Sequence, residues 1–321
     1  MTDRSPRGRW LRPLALAWSA LLAVPLLMPY VDLSFSSLLP VVQALWPLSA
    51  LVAVVTLLAC LGLRQWVAAG VVAAALVVGL LPGVLAGSGA DPAGGGETLT
   101  VLAANVEVSQ GDPQDVADLV REHRVGVLVL LEIDPGFLER LRATGLGADL
   151  PHGWDRPVSG GASGTTILTR MPQTEETRWP AGYEHRFQMP AVRVELGGRE
   201  VVVRAVHTLP PAPAPAPDWR AELDGLDSWV DDVPADTDLV LAGDFNAGRS
   251  HPAFREVADG FTIAPGLGSR TWPEDGRFGR FADIDHVLAR GLAPRAAGSA
   301  TVDGSDHRAG WAELAYDEGS G

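Results

Sequence analysis

Three stretches near the start of the chain, residues 13–31, 33–63 and 65–90, contain no charged residue. Each reaches the ~20 residues a helix needs to cross a bilayer, so the pattern predicts three transmembrane helices. A cleaved signal peptide is the alternative for the first, which has a basic start, but two more spans follow and no small-residue cleavage pattern fits. Beyond Leu99 the pattern changes to short apolar runs separated by turn residues. Residues 99–106, 125–133, 165–169, 191–196, 200–208, 239–243, 284–288 and 310–314 are the expected strands. The run 125–133 is apolar almost throughout, as a strand buried on both faces must be. Asp112 and Pro113 supply a cap and a first-turn proline for a helix running to about His123, and further helical pieces are expected over 219–230 and 252–258. Gly197 and Gly198 turn one strand back on the next, while the Pro-Ala run 210–217 reads as an extended, polyproline-like loop. Strands that outnumber helices in this way predict two packed sheets with helices outside.

These patterns divide the chain into a membrane anchor (1–90), a linker (91–98, within the Gly/Pro-rich stretch 82–96) and a soluble domain (99–321) large enough for one sizeable core. Charge separates the same pieces. Residues 1–90 hold five arginines against Asp3 and Asp32, so the net charge of −14 arises entirely beyond them. Arg4, Arg7, Arg9 and Arg12 precede the first span and Arg64 lies between the second and third, which assigns both to the cytoplasmic side by the positive-inside rule. Three crossings then bring the acidic domain out on the other face. Polar residues within the spans are few, so the bundle reads as an anchor and not as a transport path. An acidic domain lacks the basic surface that replaces condensed counterions on nucleic acid; a polynucleotide partner is disfavoured, whereas a small phosphate held through a metal is not. The sole cysteine, Cys60, lies in an apolar run, which excludes intrachain disulfides and cysteine zinc sites. All 25 basic residues are arginine, which matches coding bias and carries no functional conclusion.

Candidate chemistry gathers where apolar runs end. Asn105 closes the first expected strand, Glu132 the second and His207 another; residues 239–243 lead into Asp244, Phe245 and Asn246. Asp285 and His286 follow Ile284, and Ser305, Asp306 and His307 precede the last strand. Each alone has an ordinary explanation as a turn former, a solvated strand end or a satisfied core histidine. Six such sites in this order form a pattern. Over about residues 99–314 it resembles the endonuclease/exonuclease/phosphatase superfamily, the metal-dependent phosphoesterases that include deoxyribonuclease I and neutral sphingomyelinases.

The resemblance implies an α/β fold of the deoxyribonuclease I type: an α+β-like, four-layer sandwich of two packed β-sheets flanked by helices, here preceded by the three transmembrane helices. It implies that Asn105 and Glu132 hold Mg²⁺ (or Mn²⁺) with Asp306 near it, and that Asp244 orients or deprotonates the attacking water. Asn246 and His207 would contact the phosphate, and His307 would donate to a phosphate oxygen with Asp285 supporting its ring. Residues 164–170 resemble the family's central strand. The residue types suit the chemistry, because phosphate-ester hydrolysis concentrates charge on oxygens that a hard cation and fixed donors stabilise. There is one departure: Tyr183 is the only tyrosine between Glu132 and the Asp-x-Asn motif, and it does not match the tyrosine some nucleases place there.

The expected function is therefore a membrane-anchored, extracytoplasmic, Mg²⁺-dependent phosphoesterase acting on a small or lipid-linked phosphate. The order of spans, linker and domain also resembles the membrane-anchored glycopeptide-resistance members of the superfamily, which implies a lipid pyrophosphate of cell-wall synthesis. Two alternatives use the same residues differently: an extracytoplasmic nuclease or phospholipid phosphodiesterase, and a non-catalytic module that binds cell-wall precursors or antibiotic.

Overall fold

The computed structural model describes residues 6–86, 96–154, 160–264, 270–274, 276 and 279–316. Four helices open the chain: α1 (Pro6–Leu27), α2 (Leu38–Ala44), α3 (Trp46–Gly62) and α4 (Trp66–Leu85). Then follow β1 (Thr98–Asn105), α5 (Pro113–Glu122), β2 (Val127–Leu131), α6 (Pro135–Ala143), β3 (Thr165–Thr169), β4 (Thr174–Glu176) and β5 (Ala191–Leu196). The rest is β6 (Arg199–His207), α7 (Ala216–Asp232), β7 (Asp238–Asp244), α8 (Pro252–Val257), β8 (Thr262–Ala264), β9 (Asp285–Arg290), β10 (Leu292–Thr301) and β11 (Arg308–Tyr316).

Two sheets form, in the orders β10-β11-β1-β2-β3 and β4-β5-β6-β7-β9-β8. Because successive strand residues point to opposite faces, each apolar run feeds two cores. Val101, Val127, Val129, Val203 and Val240 meet between the sheets. Their neighbours Leu102, Leu128 and Leu130 pack under α5 and α6, while Val202, Leu239 and Leu241 pack under α7 and α8. Both faces of the central strands are covered, which is why these runs do not alternate with polar residues. The result is four layers: helix, sheet, sheet, helix.

Most pairings are antiparallel. The exceptions are β1 with β2, joined through α5, and β6 with β7, joined through α7. The carboxyl ends of these two parallel pairs meet on one edge of the sandwich, the edge at which α/β folds gather their ligands. Some elements differ from expectation. The helix α6 begins with the same Asp-Pro start as α5, its cap Asp134 accepting a hydrogen bond from the Phe137 N–H (2.6 Å), yet it was not among the expected helices. The alanine-rich β10 has little strand propensity and exists because it pairs with β11 over its length. The expected loop over 210–217 gives way at Ala216, where α7 starts.

The anchor corrects the expected three spans. Among the described residues, two helical stretches are long and apolar enough to cross a membrane, Trp10–Tyr30 and Trp66–Leu85. The middle stretch is broken into α2 and α3, bent by 59°, and would be a third span only as one broken unit. Pro47 explains the break: it has no N–H, and its ring crowds the carbonyl four residues back. The buried Gln43 side chain then donates to the carbonyls of Met28 (3.0 Å) and Val31 (2.7 Å), beyond the end of α1. Gly79 lets α1 and α4 close up, since a Cβ there would lie 2.1 Å from the Leu26 carbonyl oxygen. Pro82, expected in the linker, is still within α4. Linker residues 91–95 lie outside the described residues.

The anchor docks on the ligand-gathering edge of the sandwich. Arg255 Nη2 donates to Pro29 O (2.5 Å), Arg249 Nη1 to Ala86 O (2.7 Å), and Arg220 pairs with Asp32. The buried His251 joins both parts: its Nδ1 accepts from the Gly248 N–H (2.9 Å) and its Nε2 meets Pro40 O (3.0 Å), which defines the neutral Nε2–H tautomer. Burial pushes its pKa down to about 4. A histidine held below its unfolded value stabilises the fold above about pH 6.5 and loses that contribution as pH falls toward the folded value. The advantage of the wild type over His251→Gln should therefore shrink between pH 6.5 and 4 by at most about 1.4 kcal/mol per pH unit. Parallel unfolding curves in detergent at several pH values would check this, and a pH-independent difference would refute it.

Candidate active site

Each candidate residue occupies a strand end or the turn after it. Gly243, in β7, has φ +143°, and a Cβ there would lie 2.0 Å from Val206 O. Glycine thus permits the close approach of β6 and β7 that sets His207 opposite Asp244 in the register. Across β7 the register sets Asp244 opposite Asp285. Asn105 ends β1 in the other sheet, and Glu132 follows β2 in a left-handed conformation (φ 59°) that is costly for a residue with a side chain. The same conformation recurs at Glu107, Val108 and Ser109, in the turn after β1. This turn aims the Val108 N–H at Glu132 Oε2 (3.0 Å).

The two sheets meet through these side chains. Asn105 Nδ2 donates to Glu132 Oε1 (3.1 Å) and Asp244 Oδ2 (3.2 Å), while Asn105 Oδ1 accepts from the Glu107 N–H (3.0 Å). Asp244 Oδ1 accepts from the Asn246 N–H (2.8 Å). The Asn246 side chain donates to Thr208 O (2.8 Å), so here it holds the Asp244 turn. His307 Nδ1 donates to Asp285 (2.9 and 3.2 Å), leaving Nε2 3.8 Å from Asp244 Oδ2 and 3.7 Å from Asp306 Oδ1. His207 Nε2 stands 3.6 Å from Glu132 Oε1, its ring stacked on Phe187. All eight sequence candidates therefore lie in one neighbourhood. Tyr183 packs elsewhere, against Gly225 of α7.

Burial and mutual charge shape the electrostatics. Burial raises the Asp244 pKa far above the usual carboxylate range, and the neighbouring Asp285 adds to this. Burial alone would lower His307; the Asp285 and Asp244 carboxylates overcome it and hold the ring as an imidazolium past neutral pH. Burial raises Glu132 despite the Asn105 hydrogen bond. Burial, reinforced by His307, takes His207 down to about 3, so it is neutral. The cluster thus contains a fixed cationic donor, His307, next to a carboxylate that takes up protons readily, Asp244. That is an acid–base pair aimed at one place.

Three residues escaped sequence reasoning. Glu107 Oε2 accepts the Asp306 N–H (2.9 Å), Trp272 Nε1 donates to Asp306 Oδ2 (2.8 Å), and Thr271 Oγ1 accepts from the N–H of Ile284 (3.3 Å) and Asp285 (3.2 Å). They hold the catalytic candidates from up to 199 residues away, and nothing local marks them. Glu107 alone carried a faint signal, as an acid two residues after Asn105.

A two-sheet sandwich with a carboxylate–histidine cluster on the edge where its parallel strands end is the architecture of the deoxyribonuclease I-like phosphoesterases and nucleases. The chain belongs to the endonuclease/exonuclease/phosphatase family, whose sequence profile matches residues 102–307. Solved structures share the fold at low identity. One is a functionally unknown conserved protein of Enterococcus faecalis V583 (17% identity, TM-score 0.53, 68% of this chain and 100% of that one). Another is an endonuclease/exonuclease/phosphatase family protein of Bacteroides thetaiotaomicron (15%, 0.53, 70% and 100%). A third is D. rerio TDP2 complexed with a single-strand DNA product (14%, 0.53, 68% and 99%). No curated protein sequence matches the chain.

Members of this family depend on a divalent metal, and the donor set accommodates one. The Asn105 amide N–H group lies between two carboxylates, the place a cation would take, and turning that amide would present its oxygen instead. The tightest donor cluster among the described residues is a different one: Asp244, Asp285 and His307, with atoms within 4.8 Å of one another. A cation there would compete with the His307 imidazolium and break its bond to Asp285, so the Glu132 side is the better fit. In Glu132→Gln, the Mg²⁺ concentration giving half-maximal rate should rise about 10–100-fold. A metal titration of both proteins measures this, and an unchanged midpoint would remove Glu132 from the ligand set.

Proposed function

We propose that this protein is a membrane-anchored phosphoesterase, with its catalytic domain outside the cytoplasm, that hydrolyses a phosphate ester or lipid pyrophosphate. The observation that carries this reading is the pairing of Asp244 with the Asp285-supported imidazolium of His307, 3.8 Å apart, on the edge where the parallel strands end. Asp244, held by the Asn246 N–H and Asn105, takes a proton from the attacking water. His307 donates through Nε2 to the phosphoryl oxygen on which negative charge grows. His207, neutral and without a partner at Nδ1 among the described residues, offers a further contact for phosphate. Glu132, Asn105 and Asp306 are the residues that would hold a divalent cation, whose chemistry is to neutralise charge on the phosphoryl oxygens.

The orientation is supported by the run of the anchor. Leu11, Leu63 and Gln65 share one crevice, so the start of α1, with Arg12, and the α3–α4 turn, with Arg64, lie at one end of the bundle. Residues 29–40 and the end of α4 touch the catalytic domain at the other end. A chain that starts at one end and finishes at the other has crossed an odd number of times. Taken as one broken unit, α2–α3 supplies the return pass, and the arginine end is cytoplasmic by charge. Fusions after Gly96 should be active with an export-dependent reporter and silent with a cytoplasm-dependent one; the opposite pattern would overturn the orientation. A panel of phosphate monoesters, diesters, lipid pyrophosphates and DNA, assayed with and without Mg²⁺, tests the reaction. Turnover of DNA alone would favour the nuclease alternative, and no turnover of any substrate would favour a binding module.

A further inference from the structure

We infer that the cavity between the helical anchor and the catalytic domain binds the apolar chain and charged head of a phosphorylated membrane lipid next to the catalytic cluster. The inference rests on the phosphoesterase reading above and gives its substrate an entry site. The cavity measures about 260 Å³. One wall is apolar and comes from the anchor, with Trp46, Ala50 and Leu80; the other is polar and comes from the catalytic domain, with Arg249, Arg270 and Asp283. A soluble ester has no use for the first wall, and an uncharged hydrocarbon has none for the second.

The polar wall has groups that the protein leaves unsatisfied. Among the described residues, Arg249 Nε and Asp283 Oδ1 are buried without a hydrogen-bond partner, although buried polar atoms normally have one. Burial raises the Asp283 pKa well above the usual carboxylate range, against the opposing pull of Arg249 and Arg270. In a chain of net charge −14, two arginines at a cavity beside an apolar helix face are complementary to an anionic head with a hydrocarbon chain. The anchor helices next to the cavity also expose Leu51, Val54 and Leu81, so the apolar wall continues onto the surface that lipid chains would cover.

The cavity and the catalytic cluster lie on two sides of one thin wall. Arg270 lines the cavity, and two residues further on Trp272 holds Asp306. Asp283 lines it, and two residues further on Asp285 holds His307. The two segments are bridged at Trp272 and Ala282, and Thr271 bonds the backbone of Asp285. Two residues of extended chain span only ~7 Å, so a head group entering beside Arg270 and Asp283 is separated from the cluster only by the 270–272 and 283–285 segments.

The cavity stays open because small residues line it. At Gly83, a Cβ would meet only Arg249 Cβ, at 3.7 Å, so a longer side chain can enter without displacing backbone. The test uses the full chain in detergent micelles with a phosphatidic acid carrying a diazirine in its acyl chain, adducts being mapped by mass spectrometry. Adducts are expected at Trp46 and Leu80, and they should fall about tenfold or more in Gly83→Leu and in the rim variant Arg270→Glu, a loss equivalent to one order in affinity. Excess inorganic phosphate should leave them in place. Labelling spread evenly over the exposed helix faces and indifferent to both variants would overturn the inference, as would displacement by inorganic phosphate. Asp244→Asn should label as the wild type does while losing turnover, and the two readings are separated on the wild-type protein. Cavity labelling in a protein that turns over no phosphate ester would sink the hydrolase reading and leave the site standing, whereas normal turnover without cavity labelling would do the reverse.

Discussion

Asp244→Asn should lower turnover by about 10²–10⁴-fold, the usual contribution of a positioned general base, with little change in KM. Asparagine keeps the shape of the side chain and can still accept the hydrogen bond from the Asn246 N–H, but its second position is an N–H donor that cannot accept from Asn105, and it cannot take the proton from water. The variant loses the Asn105 hydrogen bond, and the pH dependence of its stability has a definite sign. Because burial raises the Asp244 pKa in the folded state, the native protein holds a proton that the unfolded chain has released, and stability falls as pH rises through that interval. That proton must leave, helped by the neighbouring His307 imidazolium, before Asp244 can act as base. Asparagine never ionises. The stability of the variant relative to the wild type should therefore grow from pH 5 toward alkaline pH. Steady-state kinetics and melting curves at several pH values measure both effects; undiminished turnover by a folded variant would end the assignment of Asp244.

His307→Ala is expected to cost about 10²–10³-fold in rate, the value of one fixed donor to developing oxyanion charge. Asp285→Asn should cost less, since that residue acts through the ring, and should leave a distinctive trace. The Asp285 carboxylate opposes the effect of burial and keeps His307 protonated, so activity that needs the imidazolium should persist through neutral pH and fade on the alkaline side. Weakening the partner lowers the pH at which the fade begins. A pH–rate profile of Asp285→Asn with an unmoved alkaline limb would show that Asp285 does not set the ring's charge. The losses in Asp244→Asn and His307→Ala should combine less than additively, because both groups act on one transition state.

Much of the catalytic domain was legible in the chain because strands and their ends obey local rules. A carboxylate or histidine that interrupts an apolar run must face an opening or a partner, and Asn105, Glu132, His207 and Asp244 all close such runs. The residues that hold them are a different case. Trp272 reaches Asp306 across 34 positions, and Glu107 does so across 199, through contacts that no local pattern encodes.

The anchor shows the same boundary. The absence of charge determined which residues are apolar enough to leave water. It did not show that Pro47 would divide the middle stretch, or that the ends of α1 and α4 would lie against the loops that follow β6 and β7. Local sequence thus determined the strands, their buried faces and the chemical types gathered at one edge, because period and propensity act within a few residues. Tertiary structure alone decided that Asp244 would be buried between Asn105 and Asp285, and so which carboxylate takes up protons. It also decided that a cavity would open between anchor and domain, because desolvation and packing depend on what the rest of the chain brings alongside.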